Sequence, residues 1–242
     1  MTPANMKAMV LAAGLGTRMR PITDTIPKPL VEVAGRTLLD RALDALNSAG
    51  IESAVVNVHH LGDQIVTHCA PRNHPHIIIS DERNRLLDSA GGIVKALPFL
   101  GSAPFVLLNA DTFWIDTGRS NLAALAAAWD ASRMDMLLML VPVAHTTGHG
   151  TKTDFLMDGE GRLARAKGNP AGFVYAGAAI VDPAIFKDAE ADPHSLNLYF
   201  DRAIDAGRLH GHVMDGHWIT VGTPGAIAEA EAAIRTHQPA LA

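Results

Sequence analysis

The residues with the densest chemistry lie near the amino terminus, in Leu11-Ala12-Ala13-Gly14-Leu15-Gly16-Thr17-Arg18-Met19-Arg20-Pro21. Small residues after an apolar run, Lys7–Ala12, let backbone N–H groups approach a phosphate chain, and their dipoles favour negative charge. Arg18 supplies one cation. Lys28, in Pro27-Lys28-Pro29-Leu30, supplies another, and its flanking prolines restrict the backbone that carries it. A guanidinium and an ammonium beside a glycine loop suit a polyanion such as a triphosphate. Two familiar glycine motifs do not fit. The dinucleotide fingerprint fails because its third glycine is missing and Arg18 stands where helix packing wants a small residue; the P-loop fails because no Gly-Lys-Ser/Thr follows.

These residues need a scaffold, and the pattern around them supplies one. Short apolar runs at Lys7–Ala12, Ala54–Val58, Ile77–Ile79, Phe105–Leu108 and Met136–Val141 alternate with helical patterns. Leu38, Leu39, Ala42, Leu43, Leu46 and Ala49 recur at helical spacing and stop at Gly50. Further helices fit Gly92–Leu97 and Leu122–Trp129, the latter with Asn121 as its N-cap. Strand–helix–strand repetition predicts an α/β fold whose parallel sheet is covered on both faces. Ligands of such sheets sit at the carboxyl ends of strands. From Ala144 the pattern is less regular: His145–Lys152 reads as a mobile loop, Phe173–Val181 as a strand, Pro193–Gly207 as a loop and helix, and Ala226–Thr236 as a closing helix before a frayed tail. One domain is expected over residues 1–242, in two parts at about 6–143 and 144–225, with the closing helix and tail at 226–242.

Composition narrows the classes. The 20 Lys and Arg against 25 Asp and Glu give a net charge of −5, which argues against a nucleic-acid partner. No apolar run approaches the ~20 residues of a membrane span, and Met134–Val143 is interrupted by Asp135 and Pro142. Residues 1–5 lack the basic and apolar regions of a secretory leader. The single cysteine, Cys69, excludes an internal disulfide and fits a reducing cytoplasm. The twelve histidines, among them His59-His60, His145 and His149, show no zinc-ligand spacing.

The order L-A-A-G-x-G-T-R, then P-K-P, resembles the signature of the sugar-phosphate nucleotidyltransferases, and the likeness continues through Asp88–Leu100, Leu107–Asp111, Tyr175–Phe186 and Gly216–Glu231. The resemblance implies a doubly wound, mostly parallel, three-layer fold of the glycosyltransferase-like type, with residues 6–143 as its nucleotide-binding part and 144–225 as its sugar-binding part. It implies an enzyme that joins a sugar 1-phosphate to a nucleoside triphosphate with Mg²⁺ and releases pyrophosphate, working as a monomer or small homo-oligomer. By the same resemblance Ala13, Gly14, Gly16 and Thr17 line the nucleotide, Arg18 and Lys28 meet its phosphates, and Asp111 holds the metal. Asp88-Ser89-Ala90-Gly91-Gly92 is similar to the family's base-binding loop, with Gly91 and Glu82 facing the base. Tyr175-Ala176-Gly177 matches the strand beside the sugar phosphate, and Lys167 is a candidate second cation there.

Read as residues alone, several of these keep a second meaning: Asp111 as a turn cap, Asp88 or Ser89 as a helix cap, Lys167 as a surface lysine. Two departures stand out. Ala110 replaces the family's glycine before Asp111, and Thr220 replaces the second metal-binding acid in Trp218-Ile219-Thr220-Val221-Gly222-Thr223-Pro224. Asp215 is then a candidate substitute. The short chain, with Gly91–Pro98 and Gly216-His217-Trp218, resembles the bacterial N-acetylmuramate-1-phosphate uridylyltransferases; mannose-1-phosphate guanylyltransferases are the alternative. Two other classes stay open, a non-catalytic sugar-nucleotide sensor, which Thr220 favours, and on fold grounds alone a nicotinamide-dependent dehydrogenase.

Overall fold

A computed structural model describes residues 6–237; the leader reading of residues 1–5 and the tail beyond 237 lie outside them. The chain opens with β1 (Ala8–Leu11) and a two-residue hairpin, β2 (Glu32–Val33) and β3 (Arg36–Thr37). Helix α1 (Leu38–Ser48) starts where the Thr37 hydroxyl accepts from the Asp40 N–H at 3.0 Å, and it stops before Gly50, whose φ of +79° suits the turn past a helix end. There follow β4 (Ser53–Val58), α2 (Gly62–Cys69), β5 (His76–Asp81), α3 (Asp88–Leu100), β6 (Phe105–Asn109), β7 (Thr112–Ile115), α4 (Asn121–Ala128) and β8 (Met136–Pro142). The last third holds β9 (Thr146–Thr147), β10 (Phe155–Met157), β11 (Leu163–Arg165), β12 (Phe173–Val181), α5 (Asn197–Asp205), β13 (Leu209–Val213), β14 (His217–Thr220) and α6 (Gly225–His237).

The main sheet runs β11-β10-β12-β6-β1-β4-β5, with β8 joining β12 to β13. Strands β6, β1, β4 and β5 are parallel, and their side chains alternate between two cores. Ala8, Val10, Val56 and Leu108 face α1, α2 and α4, while Met9, Val55 and Leu107 face α3. This is the three-layer α/β arrangement that the alternating runs imply. The second half of the sheet turns antiparallel through β12, which pairs with β6, β8 and β10. A bulge between Tyr175 and Ala179 interrupts β12 at Gly177, whose φ is +77°.

A third core lies under the loops. Met19, Val31, Phe113, Ile219 and Val221 pack with Ala230 and Ile234 of α6. The closing helix therefore supports the turn after the glycine loop, at Met19, and strands β7 and β14 beside Asp111.

Several expectations are corrected. Helix α3 begins at Asp88, not Gly92. Ser120, not Asn121, caps α4, its hydroxyl accepting from the Ala123 N–H at 3.3 Å. The segment His145–Lys152 is tied down, because Thr146-Thr147 pairs with β14 and His149 packs edge-on against Trp218 at 5.6 Å.

The same region carries a pH-sensitive contact. His217 stacks on His237 of α6 with ring centroids 3.9 Å apart. Burial, and then the nearby His237 and His145, push His217 below the usual imidazole range, and burial also lowers His210 and His212. With folded values below the unfolded one, the unfolded chain binds protons first as pH falls, so stability is full above about pH 6.5 and declines beneath it. Thermal midpoints should drop between about pH 7 and pH 5, and His217→Gln should reduce the drop.

Candidate active site

A cavity of about 460 Å³ opens at the carboxyl ends of β1, β4 and β6, where a parallel sheet places its ligands. Its wall includes Ala12, Ala13 and Gly14 from the glycine loop, Lys28 and Pro29, Asn57, Leu86, Asp88 and Ser89, and Asn109, Ala110 and Asp111. The loop after β1 is held by its neighbours. Gly16 takes a φ of +62°, and a Cβ there would lie 2.9 Å from Thr23 Cγ2 and 3.1 Å from Lys28 Cβ. The buried Thr23 hydroxyl donates to the Gly16 carbonyl at 2.8 Å. Glycine is thus what lets the loop close onto the Lys28 segment.

Lys28 Nζ lies 2.6 Å from Asp111 Oδ2. The two are 83 residues apart in sequence, and the Lys28 side chain is 12% exposed against 36% for Asp111. The Asp111 turn is fixed from behind, with its carbonyl accepting from the Val221 N–H at 3.2 Å. Arg18, in the short 3-10 turn Thr17–Met19, is exposed. A Cβ on Gly222 would sit 3.4 Å from its Nη1. Gly16, Thr17 and Arg18 therefore flank the cavity rather than form its wall.

The base-side candidates divide differently. Glu82 is 1% exposed; its carboxylate accepts from Asn57 Nδ2 at 2.7 Å and from the Leu87 N–H at 3.2 Å. Burial raises its pKa and the hydrogen bonds from Asn57 and Leu87 oppose that rise. Asn57 Oδ1 in turn accepts from the Ala12 N–H at 2.7 Å. Glu82 is thus a support behind Asn57, not a wall residue, because its oxygens are spent inside the fold. Gly91 is corrected in the same way. It lies inside α3, where a Cβ would meet the Asp192 carbonyl at 2.1 Å, so it serves packing. Gly92 makes room for the Glu82–Asn57 pair, since its Cβ would fall 2.6 Å from Glu82 Oε1. Asp88 and Ser89 remain on the wall, with Asp88 at a φ of +58°.

Gly177 approaches the Asp111 turn from β12, and a Cβ there would meet Thr112 Oγ1 at 2.6 Å. Lys167 is exposed in a turn at a φ of +48° and lines neither this cavity nor its neighbour. Thr220 is paired with Thr112 in the β7–β14 ladder. Asp215 precedes the far end of β14, where its backbone is bound to the Asn121 amide at 2.9 and 2.7 Å. That end of the strand is remote from Asp111, so Asp215 does not replace the missing acid.

Among the described residues no group of three acids, histidines or cysteines is placed to hold a metal. Asp111 is a hard oxygen donor on the cavity wall, and one carboxylate completed by phosphate oxygens is a donor set that Mg²⁺ accepts. The residues present fit that ion. Asn57 and Asn109 are wall residues that the motif reading missed. The available signal was a polar side chain closing an apolar strand.

The family model described as nucleotidyl transferase matches residues 7–237. The chain belongs to the nucleotidyl transferase family. It is 44% identical to an N-acetylmuramate alpha-1-phosphate uridylyltransferase of Caulobacter vibrioides over 96% of this chain and 98% of that one. It is 35% identical to the protein of that name from Neisseria meningitidis serogroup B, over 94% and 97%. A mannose-1-phosphate guanyltransferase of Schizosaccharomyces pombe is 28% identical over 90% of this chain and 61% of its own. Among solved structures, HddC from Yersinia pseudotuberculosis complexed with GMP-PN superposes with a TM-score of 0.76 at 22% identity, covering 94% of this chain and 98% of that one. The inositol-1-phosphate CTP transferase from T. maritima gives 0.75 at 19%, over 97% and 98%. These structural likenesses show the shared fold.

Proposed function

We infer that this member of the family transfers a uridylyl group from UTP to N-acetylmuramate 1-phosphate and releases pyrophosphate, with residues 1–242 acting as one catalytic unit. The observation that carries the reading is the Lys28–Asp111 pair, 2.6 Å apart on the wall of the nucleotide-sized cavity. The named relatives, matched over nearly their whole length, support the choice of substrates.

In the reaction a phosphate oxygen of the sugar attacks the α-phosphorus of the nucleotide, forming one P–O bond. The bond from that phosphorus to the α,β-bridging oxygen breaks, and pyrophosphate leaves with the electron pair. The nucleophile is already anionic, so the chain need not supply a strong base. Its task is positioning and charge neutralisation. Backbone N–H groups at Ala13 and Gly14 cradle the phosphates, Lys28 meets the reacting phosphates, and Arg18 meets the departing pyrophosphate. Asp111 would hold Mg²⁺, which supplies charge neutralisation along the triphosphate. Gly177 lets β12 come close to the Asp111 turn. Glu82 and Asn57 fix the start of the glycine loop.

No described helix is long and apolar enough to cross a membrane, and Cys69 is a buried free thiol. We place the reaction in the cytoplasm. Pyrophosphate release should be measured with each of four nucleoside triphosphates against N-acetylmuramate, N-acetylglucosamine and mannose 1-phosphates. UTP with N-acetylmuramate 1-phosphate should give the highest kcat/KM. Preference for GTP with mannose 1-phosphate would reassign the substrates, and silence in every combination would favour a binding protein.

A further inference from the structure

A second cavity, of about 290 Å³, adjoins the nucleotide cavity and shares Leu11, Ser89 and Asn109 with it. Its own wall brings together residues that no motif connects: Asp154, Phe155, Arg165, Tyr175, Asn197 and Phe200. Two donors in that wall have unused capacity. Tyr175 Oη is buried with no hydrogen-bond partner, and burial raises its pKa far enough to keep it a neutral O–H donor. A buried polar atom left unpaired costs stability unless something else pairs with it.

Arg165 is pinned. Its Nε donates to Asp201 Oδ1 at 2.8 Å, and its Nη2 to Asn197 Oδ1 at 3.0 Å and to the Asn197 carbonyl at 3.3 Å. The guanidinium lies 5.0 Å from the Phe155 ring centre and 5.7 Å from that of Phe200. These bonds use Nε and Nη2, and among the described residues Nη1 has no protein acceptor. The side chain is 28% exposed. Its ion-pair partner is Asp201, at the Nε edge, while Oδ2 of Asp154 accepts from the Tyr175 N–H at 2.9 Å.

We propose that Arg165, assisted by the Tyr175 hydroxyl, selects an acidic sugar 1-phosphate by binding a carboxylate carried on the sugar ring. The assignment rests on the substrate reading above. A neutral hydroxylated sugar offers a pinned guanidinium little that water does not, whereas a carboxylate takes a charge-assisted hydrogen bond from the free Nη1 and another from the Tyr175 hydroxyl. The sugar's phosphate is the competing anion. It must reach the α-phosphorus near Lys28 and Asp111, which line the first cavity and not the second. The group that meets Arg165 is therefore at another part of the sugar. N-Acetylmuramate has such a group, the carboxylate of its lactyl ether.

The test uses N-acetylmuramate 1-phosphate and N-acetylglucosamine 1-phosphate, which differ only in that lactyl group. In the unaltered enzyme kcat/KM should favour the acidic sugar. In Arg165→Leu, which retains apolar contact with the two phenylalanines, the ratio between the sugars should fall by about 10- to 100-fold, through KM of the acidic one. Arg165→Lys should recover part of the ratio. Tyr175→Phe removes an unpaired hydroxyl, costs the fold nothing, and should lower the ratio by about 3- to 10-fold; it and Arg165→Lys carry the test if Arg165→Leu does not fold. Equal loss on both sugars would assign Arg165 to the phosphate or to the fold and overturn the proposal, as would an unchanged ratio. Preference of the unaltered enzyme for the neutral sugar would instead bring down the substrate reading, and this assignment with it.

Discussion

Lys28→Ala should lower kcat by about 10²- to 10³-fold while leaving the thermal midpoint nearly unchanged. The ammonium is held at 2.6 Å from Asp111 and is mostly buried, so it is oriented before substrate arrives. A preplaced cation at a transferring phosphoryl group contributes roughly 3–4 kcal/mol to the transition state, because no reorganisation is needed as charge develops. The fold should tolerate the loss. Asp111 is 36% exposed, so water can solvate its carboxylate once Lys28 is gone, and the cost should stay near that of a surface pair, about 1 kcal/mol. Steady-state kinetics and a thermal melt on the same preparation check both halves of the expectation. A variant that keeps near-normal kcat would remove Lys28 from the reacting centre.

Asp111→Asn should abolish measurable turnover, since it keeps the shape of the side chain and removes the carboxylate charge that would hold Mg²⁺ there. The same site predicts an unusual metal titration. Lys28 occupies an Asp111 oxygen, and residue 220 is a neutral threonine. Hard divalent cations depend on ligand charge for affinity, so Mn²⁺ should bind weakly before nucleotide is added and enter with the triphosphate. Thr220→Asp and Lys28→Ala should each tighten Mn²⁺ binding to the nucleotide-free protein, and Asp111→Asn should cancel either gain. The readout is free Mn²⁺ by electron paramagnetic resonance, independent of turnover. Tight binding by the unaltered chain, indifferent to Thr220→Asp, would mean that another acid completes the site.

How much of this could be read beforehand depends on how local each feature is. The glycine loop, Lys28 and Asp111 are legible because each sits in a short contiguous motif, the loop and Asp111 at the end of an apolar strand, and the alternation of apolar runs with helical patterns predicts a parallel sheet covered on both faces. Glu82 and Gly91 depart from the expectation for a tertiary reason. Whether a carboxylate faces ligand or a buried Asn57 amide depends on the packing of β4 against β5. Helix α3 starts earlier than its pattern implies, because Gly91 and Gly92 lower helix propensity but the space needed by Asp192 and Glu82 outweighs it. Strand β13, Leu209-His210-Gly211-His212-Val213, lacks a clean apolar alternation and gave no strand signal. The second cavity was invisible because it is assembled from β10, β11, β12 and α5, none of whose wall residues share a motif.

The central claim is a uridylyl transfer carried out at the Lys28–Asp111 wall. Phosphorus nuclear magnetic resonance of the chain with UTP, N-acetylmuramate 1-phosphate and Mg²⁺ tests it most directly. The account predicts that the triphosphate and sugar-phosphate signals disappear together and are replaced, mole for mole, by a nucleotide-sugar diphosphate pair and a pyrophosphate singlet. Unchanged spectra, or UTP loss that yields UMP or UDP without a sugar diphosphate, would contradict it.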